Sequence, residues 1–118
     1  MENKSEIKTC NSYFCRLYMA GDINDAKKVI GKYCREKGWC VTVTPTDYIY
    51  SGGQESGFIV EAIAYARFES LREQETLTRL HELANILALE LNQKSYSVID
   101  NFISEYVTLT MPFEKKRD

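Results

Sequence analysis

Residues 12–22 read Ser12-Tyr13-Phe14-Cys15-Arg16-Leu17-Tyr18-Met19-Ala20-Gly21-Asp22, and the way this stretch ends decides the fold. From Ser12 to Ala20 the residues alternate. Cys15, Leu17 and Met19 fall on one side and Phe14, Arg16 and Tyr18 on the other, the period of two that places successive side chains on opposite faces of a sheet. Gly21-Asp22 then breaks the strand. Asp22 is a good helix N-cap, because its carboxylate accepts bonds from the first free N–H groups, and Asp25 adds favourable charge to the first turn. Ile23, Ala26, Val29, Ile30, Tyr33 and Cys34 follow helical spacing, with Lys27, Lys28, Lys32 and Arg35 on the wet side. Gly38 ends the helix, since glycine enters the left-handed C-cap conformation cheaply. A strand that turns at once into an amphipathic helix is the first half of a crossover.

The rest of the chain repeats the pattern around a hairpin. Trp39 to Thr44 reads as a second strand. Pro45 removes a ladder donor there and predicts a bulge or a sheet edge, with Tyr48 to Tyr50 continuing beyond it. Ser51 to Gly57 reads as a turn-rich loop. Phe58 to Phe68 is the third strand, with Phe58, Val60, Ala62, Ala64, Ala66 and Phe68 on one face. The three alanines predict a helix packed closely over that face. Ser70-Leu71-Arg72-Glu73 is a capping box that opens a second helix to about Asn92, with a stripe of Leu77, Leu80, Leu83, Ala84, Leu87 and Leu91. Ile86 and Leu89 fall outside this stripe and need a second cover, which marks them as a candidate partner interface. Ser95 to Met111 is β-rich. Asp100-Asn101 either turns a hairpin between Tyr96–Ile99 and Phe102–Thr110 or sits in one long bulged strand.

The order strand, helix, strand, strand, helix, strand defines an α+β class, the ferredoxin-like split βαβ (βαββαβ) with room for an extra C-terminal strand. It predicts one antiparallel sheet with both helices on one face and the other face open. The 118 residues fit a single domain over 1–118, in the usual domain range, with residues 1–11 and 113–118 as flexible ends.

Composition narrows the function classes. Fifteen Lys plus Arg stand against 17 Asp plus Glu, a net charge of −2, which gives little electrostatic drive toward nucleic acid. No apolar run approaches the ~20 residues of a membrane helix. Met1 to Thr9 is polar and lacks the apolar stretch of a secretory signal, so the expected location is the cytoplasm. Cys10, Cys15, Cys34 and Cys40 lack the tight pairing of a zinc site. They read as reduced, mostly buried thiols.

Alternation assigns Phe14, Arg16, Tyr18, Thr42, Ile63, Tyr65 and Arg67 to the open sheet face, an aromatic and arginine surface of the kind binding sites use. The 51–57 loop, with Gly52, Gly53, Gln54 and Glu55, is a second candidate binding element. It lacks the Gly-Lys-Ser/Thr ending of a phosphate loop. Gly57-Phe58-Ile59-Val60 faintly matches the signature of RNA-binding sheets, but Ser56 stands where a basic residue belongs and Val60 where an aromatic stacks. His81 lies at the edge of the second helix's stripe and is not aimed at Glu82. No catalytic set, metal-ligand set or cofactor motif emerges.

Tyr18-Met19-Ala20-Gly21-Asp22, together with Cys40 to Thr46, Tyr48 to Phe58 and Ala66-Arg67-Phe68, resembles a set of small uncharacterised proteins encoded by tailed bacteriophages. The resemblance covers roughly residues 12 to 70. It implies expression in a bacterial host and an accessory role, and carries over no catalytic residues. The sequence reading is therefore a non-enzymatic binding protein with a host or phage protein partner, as a monomer or a homodimer. Its alternatives are a small-ligand or nucleotide-binding protein and, less favoured, a cysteine-dependent enzyme.

Overall fold

The structure is a computed structural model and describes residues 5–7, 9, 13–63 and 73–109. Strand β1 (Phe14–Ala20) buries Cys15, Leu17 and Met19 on one side and leaves Phe14, Arg16 and Tyr18 half-buried on the other. Helix α1 (Ile23–Lys37) follows directly. The Asp22 carboxylate accepts from the N–H groups of Asn24 and Asp25 at 2.8 and 3.0 Å, and Gly38 closes the helix at φ 67°. Ala26, Ile30 and Tyr33 are its buried residues.

Strand β2 (Thr42–Tyr50) and strand β3 (Gly53–Ile63) form a hairpin. Helix α2 (Glu73–Glu90), β4 (Ser95–Asp100) and β5 (Ser104–Thr108) complete the order βαββαββ. The sheet runs β2-β3-β1-β4-β5, with every neighbouring pair antiparallel. Two α-helices over a five-stranded antiparallel sheet are what the sequence pattern predicts, and the extra C-terminal strand is present. The core lies between helices and sheet, where Leu17, Phe58, Val60, Leu80, Leu83, Leu87 and Val98 are at most 1% exposed. At roughly 25 cal/mol per Å² of apolar area removed from water, this layer is the main stabilising contribution.

Several local expectations change. Trp39 does not begin β2. It is buried before the strand starts, edge-on to Tyr33 with ring centroids 6.0 Å apart. Pro45 lies within β2, which is tolerated because β2 is an edge strand. The expected 51–57 loop is not a loop. Gly53 to Ser56 pair with Tyr50 to Asp47, leaving only Ser51 and Gly52 as the turn. Ladder bonds available to Tyr48-Ile49-Tyr50 outweigh the poor strand propensity of the glycines and serines opposite.

At the other end the chain turns rather than running on as one bulged strand. The Asp100 carboxylate accepts from the N–H groups of Phe102 and Ile103, both at 2.8 Å, the local bonding that makes aspartate a turn former. Phe102, expected in a strand, sits in that turn and is 76% exposed. The expected continuation of β3 to Phe68 and the capping box at Ser70 fall on residues outside the described ones, as do most of the expected flexible ends.

Candidate functional site

The open sheet face forms as the alternation predicts. Arg16 and Glu61 are directly opposite in the β1–β3 register. Their side chains pair at 2.9 Å while each stays about a third exposed. Exposed pairs of this kind contribute at most about 1 kcal/mol, so Arg16 is held in place rather than consumed as a fold anchor. The Glu61 carboxylate raises the guanidinium further above its usual value, and the guanidinium carbon lies 4.6 Å over the Phe14 ring. Tyr18 stands opposite Ile59 and Ser97, and Ile63 opposite Phe14. Tyr65 and Arg67 lie outside the described residues. Phe14, Arg16, Tyr18 and Ile63 thus share one surface.

Gly52, Gly53, Gln54 and Glu55 occupy a different place. They form the tip and return strand of the β2–β3 hairpin, which runs four residue pairs past the end of the β1–β3 ladder at Ala20 and Gly57. The base of this arm is tightly built. The Tyr48 hydroxyl lies 3.3 Å from the Met19 carbonyl oxygen and 3.2 Å from that of Phe58. Its ring crosses Gly57, where an added Cβ would come within 2.5 Å of the ring and 2.3 Å of the Met19 oxygen. Only glycine permits that approach.

Between this base and the start of α1 lies a cavity of about 440 Å³, lined by Gly21, Asp22, Ile23, Pro45, Thr46, Asp47, Ser56 and Gly57. Two carboxylates, Asp22 and Asp47, border it. The Ser56 hydroxyl donates to Asp47 at 3.2 Å, and Gly21 N–H to the Ser56 carbonyl at 3.1 Å. The sequence reading missed this cavity. It took Asp22 as a cap, passed over Asp47 and treated Ser56 as loop. The signal for it is long-range: the register that brings Gly57 beside Ala20 also brings the hairpin beside the helix start.

The remaining candidates are separate from these surfaces. Ile86 and Leu89 are 37% and 42% exposed on the outer side of α2, away from the open sheet face. The Cys15 thiol is fully buried, and burial pushes its pKa up to about 12. It is therefore a poor nucleophile. Cys34 is half-buried, with its pKa raised by the same cause, and Cys40 is exposed. Cys10 lies outside the described residues. His81 contacts Glu105 of β5 at 2.9 Å rather than Glu82. Glu82 instead accepts from the Tyr33 hydroxyl at 2.5 Å, which with Lys37 holds its carboxyl below the usual range. Among the described residues no three His, Cys, Asp or Glu side chains come together as a metal site.

No family profile matches the chain, and no curated protein sequence matches it. The fold itself has solved counterparts. The class it defines is a small α+β protein with a five-stranded antiparallel sheet and two helices. One such structure is a phage SAM lyase in complex with S-methyl-5'-thioadenosine, at TM-score 0.69 and 14% identity, covering 93% of this chain and 99% of that one. A phage SAM lyase in its apo state matches at TM-score 0.65 and 13% identity, covering 92% and 99%. At such identities the likeness is one of fold, and it is to a phage protein. It overturns the expectation of a non-enzymatic binding protein, because the scaffold read as a binding module is the scaffold of a solved enzyme. Of the earlier alternatives, it favours small-ligand binding. No helix among the described residues is long and apolar enough to cross a membrane.

Proposed function

We propose that the chain is an enzyme that binds S-adenosylmethionine and splits it, releasing S-methyl-5'-thioadenosine. The observation that carries this reading is the completeness of the fold likeness. It spans nearly all of both chains, so the sheet, both helices and the C-terminal hairpin correspond together.

The cavity at the arm's base is large enough for such a ligand. Its 440 Å³ falls in the range of small-molecule sites, roughly 300–1,000 Å³. The substrate carries a sulfonium and an ammonium, and Asp22 and Asp47 supply matching negative charge. In the reaction the substrate's own carboxylate oxygen attacks the carbon bonded to sulfur, closing a five-membered lactone as the bond from sulfur to the four-carbon amino-acid chain breaks. Its electron pair leaves with sulfur, and a neutral thioether departs. Positive charge on sulfur therefore falls toward the transition state. Carboxylates near it favour the bound substrate over the transition state, so their role is recognition and placement rather than acceleration.

The test is direct. Purified protein is incubated with S-adenosylmethionine and the products are separated by liquid chromatography with mass detection, alongside calorimetric titration with substrate and product. Enzyme-dependent S-methyl-5'-thioadenosine is expected. If none forms above the spontaneous background and neither compound binds at millimolar concentration, the reading is wrong.

A further inference from the structure

The cavity at the arm's base is charged in one sense only. Asp22 and Asp47 border it, and among the described residues that line it none is lysine, arginine or histidine. The N–H groups that open a helix are the usual backbone place for an anion. Here they are already used: Asn24 and Asp25 donate to the Asp22 carboxylate at 2.8 and 3.0 Å, and Ala26 to the Asp22 carbonyl at 3.0 Å. The charge of Asp22 is in turn offset by the positive end of α1. Asp47 is the freer of the two. It stands on β2 opposite Ser56, and its Oδ1 accepts from the Ser56 hydroxyl, a neutral donor, at 3.2 Å. No ion pair among the described residues includes it.

S-adenosylmethionine brings a sulfonium, an ammonium and a carboxylate. The two cations find partners in this cavity, whereas the carboxylate meets like charge, which repels it. That carboxylate is also the attacking group of the proposed reaction, and a site that does not tie it into an ion pair leaves its oxygen free to attack. Resting on the lyase reading, we infer that the cavity selects sulfonium nucleosides for their positive charge, and that the same molecule without its carboxylate, decarboxylated S-adenosylmethionine, binds there more tightly than the substrate and is not split. It keeps the sulfonium and the amine and loses the group that Asp47 repels. With no carboxylate oxygen to attack the carbon next to sulfur, it cannot close a lactone, so it holds the site as a competitive inhibitor. Asp47 is exposed, and exposed charges interact weakly, so the preference over substrate is about fivefold.

Calorimetric titration of the full chain at low salt, where surface charge acts most strongly, tests this with three ligands: S-adenosylmethionine, its decarboxylated form and the neutral S-methyl-5'-thioadenosine. The decarboxylated form is expected to bind about five times as tightly as the substrate, to lose that advantage as salt is added, and to yield no S-methyl-5'-thioadenosine. Asp47→Asn is expected to shrink the advantage to less than about twofold and to leave the affinity for the neutral thioether unchanged. Asp22→Asn, which keeps a good helix cap, is expected to shrink it less. A decarboxylated ligand that binds no better than the substrate, or that is split, overturns the inference. So does an Asp47→Asn chain that keeps the full preference, or that loses the neutral thioether to the same degree. In each of these cases the lyase reading survives if the unsubstituted chain still forms S-methyl-5'-thioadenosine from S-adenosylmethionine. If no product forms and none of the three ligands binds, the lyase reading fails and the inference falls with it.

Discussion

Strand β3 passes through two environments. From Phe58 to Ala62 its inward residues are wholly buried beneath the helices, and β1 and β2 flank it on both sides. From Gly53 to Ser56 it is exposed throughout and pairs with β2 alone. The ladder is continuous across the change. What stops is the layer behind it. An isolated two-stranded ribbon is marginal in water, so the arm takes its order from the sheet it extends and from Tyr48 at its base. The core stretch is stabilised by burial, whereas the arm is stabilised by register. The cavity sits where the two meet.

The largest effect that can sharpen this comparison lies on the buried side. Phe58 is fully buried, and Phe58→Ala is expected to cost about 3–5 kcal/mol, from lost transfer energy plus the cavity left behind. Urea unfolding followed by circular dichroism measures it. A cost below about 1 kcal/mol breaks the contrast, because the helix layer is then not what holds this stretch.

The junction comes next. Gly57→Ala puts a methyl 2.3 Å from the Met19 carbonyl oxygen and 2.9 Å from the Ala20 Cα. Backbone cannot yield as a flexible side chain does. Overpacking of this kind typically costs 1–3 kcal/mol, and about 2 kcal/mol is expected here, against the small gain that replacing a glycine brings through the unfolded chain. The same unfolding experiment reads it. An unchanged or raised midpoint would show that the arm's base is loose and that the two regions are less sharply divided.

The buried half of the molecule was the legible half in sequence. Cys15, Leu17 and Met19 share a face by alternation, Asp22 and Gly38 bracket α1 by capping chemistry, and the leucines of α2 stand at helical spacing. Each of these is a local rule acting on neighbours in the chain. The arm was misread because its composition, Ser51-Gly52-Gly53-Gln54, carries turn propensity, and cross-strand bonds override propensity when a partner strand is already in place. The cavity was not legible at all. Asp22 and Asp47 lie far apart in sequence, and only the register of β1 on β3, together with that of β3 on β2, brings their segments side by side. Of the expected open-face residues, Phe14, Arg16, Tyr18 and Ile63 share one side of the sheet, as alternation predicts. What that surface does is not encoded in periodicity, and the likeness to solved phage SAM lyases is one of the whole fold.

The smallest expected effect is the most discriminating. Ile49 and Phe58 are both large apolar residues. They lie on the same side of the same ladder, since Ile49 pairs with Gln54 and residues 54, 56 and 58 alternate onto one face. Ile49 is nonetheless 77% exposed and Phe58 is 0% exposed. Ile49→Ser removes an apolar side chain as Phe58→Ala does, yet it is expected to change stability by no more than about 0.5 kcal/mol. Both sites carry large apolar residues on the same face, so the difference reports what Ile49 lacks, the helix backing and a flanking strand on each side. A thermal melt of Ile49→Ser within about a degree or two of the unsubstituted chain fits that account. A loss of several degrees would mean that Ile49 is covered in solution, and that the arm is packed against a surface the single chain does not contain.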